Sequence, residues 1–287
     1  MSAYRGINLR SGDLAEQLGV LLLQSVALVA PVPRTEDVGI DVVATLIRKY
    51  DGYKYIAEDS FFVQIKSSSV TEILFEGDQV KWLNELHLPL FIAAVNRKTS
   101  TIKLYSTQSL SDAFVENPNR KKINFKLLED YSGDLSNADE SIDLPIGPAV
   151  MEWSLEQIET KPNFIQEFYN LIKAHVSLIK KTIETRRVGY VDLATWETGK
   201  SPKVYGHKLK ARKDDSAVDE ISAPYFSTII NNLTFGNDLF TTRSLYRLLD
   251  KVLEREGHFH LVDGKRDLIP WTAPFADKLK QDLEKPE

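Results

Sequence analysis

Gln64 and Lys66 stand two residues apart in the run Phe61-Phe62-Val63-Gln64-Ile65-Lys66. On an extended strand both side chains leave one face while Val63 and Ile65 leave the other. Asp41 opens the preceding alternating run, on the face opposite Ile40 and Val42. Glu16 lies in a helical segment with Leu14, Leu18, Val20, Leu21, Leu22 and Leu23, apolar enough that a carboxylate there needs a partner. A carboxylate, an amide oxygen and a backbone carbonyl are the oxygen donors a hard cation such as Mg takes, with water completing its shell. Such a cation polarises a phosphoryl oxygen and acidifies a bound water. A lysine ammonium beside that water orients it and stabilises the charge that builds on phosphorus. The chemistry this set supports is phosphodiester hydrolysis.

The elements that must position these residues are readable from periodicity. The apolar run Leu18 to Val32 is about fifteen residues long, short of the ~20 that span a bilayer, and Gln24 and Ser25 interrupt it. It predicts a buried helix, capped by Ser11 and ended by Pro31 and Pro33. Alternation over residues 40–45 predicts a strand, Asp51-Gly52 a turn, and Tyr53 to Lys66 one or two returning strands. Glu76 to His87 predicts a helix, and Leu90 to Val95 and Thr101 to Tyr105 predict strands. A strand–helix–strand step implies a crossover to a partly parallel sheet carrying helices, an α/β arrangement.

Asp41 followed by Gln64-Ile65-Lys66 at the end of the next apolar strand resembles the PD-(D/E)XK (restriction-endonuclease-like) nuclease core in its Mrr-like form, where Gln replaces the second acid. More closely, Gly12-Asp13-Leu14-Ala15-Glu16, Glu36-Asp37-Val38-Gly39-Ile40-Asp41 and Val63-Gln64-Ile65-Lys66-Ser67 are similar to the domain-of-unknown-function 4365 family, over about residues 5–125. The resemblance implies a restriction-endonuclease-like mixed sheet flanked by helices. It implies metal ligation by Asp41, Gln64 and the Ile65 carbonyl, Lys66 as the catalytic lysine, and Glu16 as the helix acid that holds metal or water. Mg is the implied cofactor, with Mn able to substitute. Gln64 departs from the strict pattern, because a neutral amide binds a cation more weakly than a carboxylate. Each residue alone has a plainer reading: Lys66 as a strand-end lysine, Gln64 as a satisfied polar group, Asp41 as a turn cap. Glu36, Asp37, Glu58 and Asp59 read as solvated loop acids, with Asp37 as a spare ligand.

The chain has 287 residues, 43% of them hydrophobic and 27% charged, and no cysteine. Thiolate zinc sites, disulfide scaffolds and cysteine nucleophiles are excluded, and a reducing cytosol suits the composition. Residues 1–130 are expected as the nuclease-like domain, 131–150 as an acidic linker, and 151–287 as a mainly α-helical C-terminal domain opened by an amphipathic helix after Pro162. The formal net charge is −5, yet Lys173 to Lys213 carries eleven Lys or Arg against three acids. Lys180, Lys181, Arg186, Arg187, Lys208, Lys210 and Arg212, interleaved with Tyr190, Trp196 and Tyr205, suit contact with a phosphate backbone. Equally, they suit a solvated helix face and a basic loop. Arg120, Lys121, Lys122 and Lys126 form a smaller patch. A helix over Asn237 to Glu256 followed by a hairpin at Asp263-Gly264 permits a winged helix presenting Arg243 and Arg247. His258 and His260 share a strand face there without a third ligand nearby.

These observations lead to a cytoplasmic, Mg-dependent endonuclease acting on nucleic acid, with DNA ahead of RNA and no membrane association. The resemblance implies a homodimer or larger homo-oligomer and a role in anti-phage defence, and an operon-encoded protein is a candidate partner. The alternatives are a catalytically silent nuclease fold serving as a binding or assembly module, and a winged-helix regulator.

Overall fold

The computed structural model describes residues 7–33, 39–51, 54–130, 138–187 and 189–210. A six-stranded mixed sheet organises them, with helices on both faces. In chain order its strands are β1 (Ala27–Pro31), β2 (Val42–Asp51), β3 (Lys54–Ser67), β5 (Leu90–Asn96), β6 (Thr101–Ser106) and β9 (Met151–Ser154), and they lie side by side in that order. Every pairing is antiparallel except β3 with β5, where the chain crosses over through β4 (Glu72–Glu76) and α2 (Asp78–Glu85). That single parallel step is the one predicted from the strand–helix–strand pattern.

Period two in β3 sends Phe61, Val63 and Ile65 to one core and Phe62 to the other. The first core is closed by α1 (Ile7–Gln24) and α5 (Phe164–Arg186), through Ala15, Leu22 and Leu23 of one and Phe168, Ile172, Val176 and Ile179 of the other. Gly19 lets α1 sit directly on the sheet: a Cβ there would stand 2.7 Å from the Ile65 Cγ2. The second core lies between the sheet, α2, α3 (Ser109–Glu116) and a small sheet of β4, β7 (Lys122–Leu127) and β8 (Ser141–Ile146). The short helix α4 (Leu155–Thr160) leads into α5, and β10 (Tyr190–Thr195) pairs with β11 (Lys203–Leu209) in a two-stranded sheet. β5 is buried at every position but its last, as expected of a strand covered on both faces.

Five expectations differ from the fold. The apolar run Leu18 to Val32 is not one helix: α1 ends at Gln24, the Ser25 hydroxyl donates to the Leu22 carbonyl at 2.6 Å, and β1 follows. Ser11 lies inside α1, which begins at Ile7, so it does not cap it. The 131–150 segment is not linker throughout, because Ile142, Leu144 and Ile146 alternate inward and make β8, paired parallel with β7. Residues 151–209 do not start a separate domain: β9 extends the main sheet, Trp153 and α5 fill its core, and all described elements pack as one unit. The region read as mainly helical also contains β10 and β11. The winged-helix segment, His258, His260 and Arg212 lie outside the described residues, as does Asp37.

Candidate active site

The site forms at the start of β2, where β3 continues past it. Val42, the first residue of β2, pairs with Val63, and from there β3 runs on to Ser67 with β5 as its one paired strand among the described residues. The Asp41 N–H donates to the Val63 carbonyl at 3.0 Å, and the next inward-facing N–H, that of Ile65, is accepted by the Asp41 Oδ2 at 2.5 Å. A carboxylate thus takes the place of a strand. Backbone groups of residues two apart point the same way, so the Ile65 carbonyl faces the same open edge as Asp41.

Gln64 leaves the sheet on the α2 side and is 6% exposed. Its amide nitrogen lies beside Gly39, whose φ of +77° holds the chain against the Trp82 ring of α2. Its Oε1 is buried and has no hydrogen-bond partner among the described residues. A buried amide oxygen without a donor is costly, by about 1–3 kcal/mol, and native structures rarely leave one empty-handed. Lys66, on the same face of β3, is half-buried and makes no ion pair with a described residue.

Glu16 comes from the opposite side. β1 is antiparallel to β2 and β2 to β3, so β1 and β3 run the same way. α1 turns back into β1 through Ser25 and Val26, which places its N-terminal turns over the C-terminal end of β3. Gly19 stands on Ile65, and Glu16, half-buried, is one turn nearer that end. The five groups singled out in the sequence are therefore gathered at one end of β3, from α1, the start of β2 and β3 itself. Among the described residues no group of three or more His, Cys, Asp or Glu side chains forms a metal cluster. The oxygen donors that fit a hard cation are the Asp41 carboxylate, the Ile65 carbonyl and the orphaned Gln64 Oε1, with Glu16 at the helix side. Gly39 and Trp82, which wall the Gln64 amide, were not singled out in the sequence; the signal was a glycine two residues before the acid.

The basic segment is placed differently from its sequence reading. Lys173 and Lys180 both pair with Asp59, Lys181 with the buried Asp192 at 2.6 Å, and Lys208 with Asp112 and Glu116 at 2.8 and 2.9 Å. Lys210 pairs with Glu116 at 3.1 Å. Arg186 is buried and donates to the Asn84 and Leu86 carbonyls at the end of α2, and Arg187 is likewise partnered. In the smaller patch Arg120 is buried, and Lys121, Lys122 and Lys126 face Glu140, Glu76 and Asp143 at 2.9, 3.0 and 2.8 Å. The lysines among these cations are each paired with a carboxylate of the fold, and Arg186 and Arg120 are held by backbone carbonyls.

Glu58 and Asp59 are not loop acids but residues of β3 facing α5. The Tyr169 hydroxyl, Arg48 and Lys173 hold the Glu58 carboxyl at about 2, and Lys173 and Lys180 hold Asp59 below the usual range. Asp192 is held low by Lys181, Tyr190 and His207 although burial opposes it. It lines a shallow cleft with Gln108, Asp112, Trp196 and Tyr205, another grouping that sequence spacing did not reveal. No described helix is long and apolar enough to cross a membrane. No family model, curated protein or solved structure matches the chain.

Proposed function

We propose that this chain is a metal-dependent nuclease whose active site is the open end of β3. The observation that carries the reading is the Gln64 Oε1, buried without a donor one residue from the backbone amide that Asp41 accepts. Asp41, Gln64 and the Ile65 carbonyl would hold a divalent cation, Mg or in its place Mn, with Glu16 holding the cation or a water from the helix side. Once bound, the cation supplies charge against phosphoryl oxygens and a water of lowered pKa. Lys66 would orient the attacking water and offset the negative charge that grows on the phosphoryl oxygens, its ammonium being uncommitted to any described carboxylate. DNA is the proposed substrate, the cytoplasm the proposed location, and a homo-oligomer the form that brings two sites to two strands.

Cleavage of supercoiled plasmid, linear DNA and single-stranded RNA, each with Mg, Mn or EDTA, tests the proposal beside Lys66→Ala. Metal-dependent cutting that vanishes in the variant is the expected result. A second reading is favoured by the neutrality of Gln64 and the absence of a three-acid cluster among the described residues: a silent nuclease fold that binds without cutting. It predicts no cutting with either metal and no metal-dependent shift in melting temperature.

A further inference from the structure

β2 and β3 outrun their neighbours. β1 pairs with β2 only from Val42 to Leu46, and β5 pairs with β3 only from Phe62 onward. Among the described residues, 47–51 and 54–57 therefore pair only with each other, as a two-stranded ribbon extending beyond the sheet. Its root is fixed: Arg48 binds Glu58 at 2.7 Å, Glu58 accepts from Tyr169 and Lys173 of α5, and Lys173 and Lys180 grip Asp59.

Beyond that clamp residues 49–51 and 54–57 are exposed. Tyr50 is 66% and Tyr55 50% exposed. Lys49 stands directly across from Tyr55, and the register slips between Lys49 and Asp51, making Tyr50 the extra residue of a bulge that re-aims its ring. Lys49 and Lys54 have no ion-pair partner among the described residues, in contrast to Lys173, Lys180, Lys181, Lys208 and Lys210. Asp51 is the one opposing acid among the ribbon's described residues.

We propose that this ribbon is a nucleic-acid contact, with Lys49 and Lys54 on backbone phosphates and Tyr50 and Tyr55 stacking on bases. Exposed rings on a two-stranded support, with uncommitted lysines at neighbouring positions, match a polyanion that carries flat apolar faces. The choice of occupant rests on the nuclease reading together with this chemistry. The ribbon end lies roughly 30 Å along β3 from Gln64, near the ~34 Å of one duplex turn, so a strand of ten or more nucleotides reaches both.

The test is fluorescence anisotropy of labelled 20-nucleotide DNA and RNA, single-stranded and duplex, with the full chain in EDTA, where no cutting occurs. Lys49→Ala/Lys54→Ala is expected to lower the slope of log affinity against log salt by about 2. Tyr50→Ala/Tyr55→Ala is expected to weaken single-strand binding at least about fivefold, with melting temperatures unchanged because all four side chains are exposed. The probe that loses most identifies the ligand. Unchanged affinity and slope in both variants overturn the proposal, as does a wild-type chain that binds none of the probes. Loss of self-association in the variants with nucleic-acid binding intact also overturns it, in favour of a protein-docking ribbon. Lys66→Ala separates the two readings. If it abolishes cutting while the ribbon variants bind normally, the ribbon proposal fails alone. If ribbon-dependent binding comes without cutting in any metal, the nuclease reading fails alone.

Discussion

The Asp41 carboxylate accepts the backbone N–H of Ile65 at 2.5 Å, joining residues twenty-four apart in the chain. The bond gives Asp41 a structural duty besides its proposed chemical one, and the two separate by substitution. Asp41→Asn keeps an oxygen acceptor for the Ile65 N–H but removes the charge, so it is expected to abolish metal-dependent cutting at a cost of less than ~1 kcal/mol in stability. Asp41→Ala strands the N–H at the sheet edge and costs about 1–3 kcal/mol as well as activity. Urea unfolding beside plasmid cleavage distinguishes them. An Asn variant that cuts normally would remove Asp41 from the chemistry.

Gln64 offers a test that needs no turnover. Replacing it by Leu removes an unpartnered buried oxygen, so in EDTA the variant is expected to melt higher than wild type, by about 2–4 °C for each kcal/mol gained. The same change should erase any rise in melting temperature that Mg confers. Gln64→Glu goes the other way: a carboxylate at a position 6% exposed lowers stability in EDTA, and Mg restores it. Scanning calorimetry with and without Mg reads all three proteins. A Leu variant destabilised in EDTA would mean that Gln64 is an ordinary satisfied core residue.

The placement of Gln64 and Lys66 on one face was legible because a period of two is local and survives whatever packs around it. The pairing of Asp41 with Ile65 was not, since it depends on where β2 begins relative to β3. β1 was hidden because Leu18 to Val32 is apolar on both sides of Gln24 and Ser25, and only the Ser25 turn divides helix from strand. β11 is largely exposed, so it lacks the alternation that reveals a strand. The basic segment misled for a different reason. The acids that neutralise Lys173 and Lys210 lie 114 and 94 residues away in sequence, a distance over which composition carries no information.

Gly39 connects the backbone to the Gln64 amide. Its φ of +77° is one that a Cβ opposes, by about 1–2 kcal/mol, and a Cβ there would meet the Trp82 ring at 3.5 Å and the Gln64 Nε2 at 3.7 Å. Gly39→Ala is expected to lose about that much stability, read by urea unfolding, and Gly39→Asn less, because Asn tolerates the left-handed region. Equal losses in the two variants would point to crowding at Trp82 rather than backbone conformation.

Acid stability should fall in two separate windows. His175 is buried beneath Trp196, and burial pushes its pKa down to about 4 from an ordinary 6.5. The unfolded chain therefore binds a proton that the folded chain refuses. Stability contributed by the neutral ring is complete above pH 6.5 and drains away as the pH falls toward 4, a loss of the order of 3 kcal/mol. Glu58 acts lower. Its pKa of about 2, against an ordinary 4.5, means that its contribution is complete above 4.5 and is lost as the pH drops through 2. Melting temperature against pH is expected to decline from 6.5 downward in wild type. In His175→Phe it should stay flat to about 4.5, with the lower decline intact. A His175→Phe profile parallel to wild type would show that another group drives the upper window.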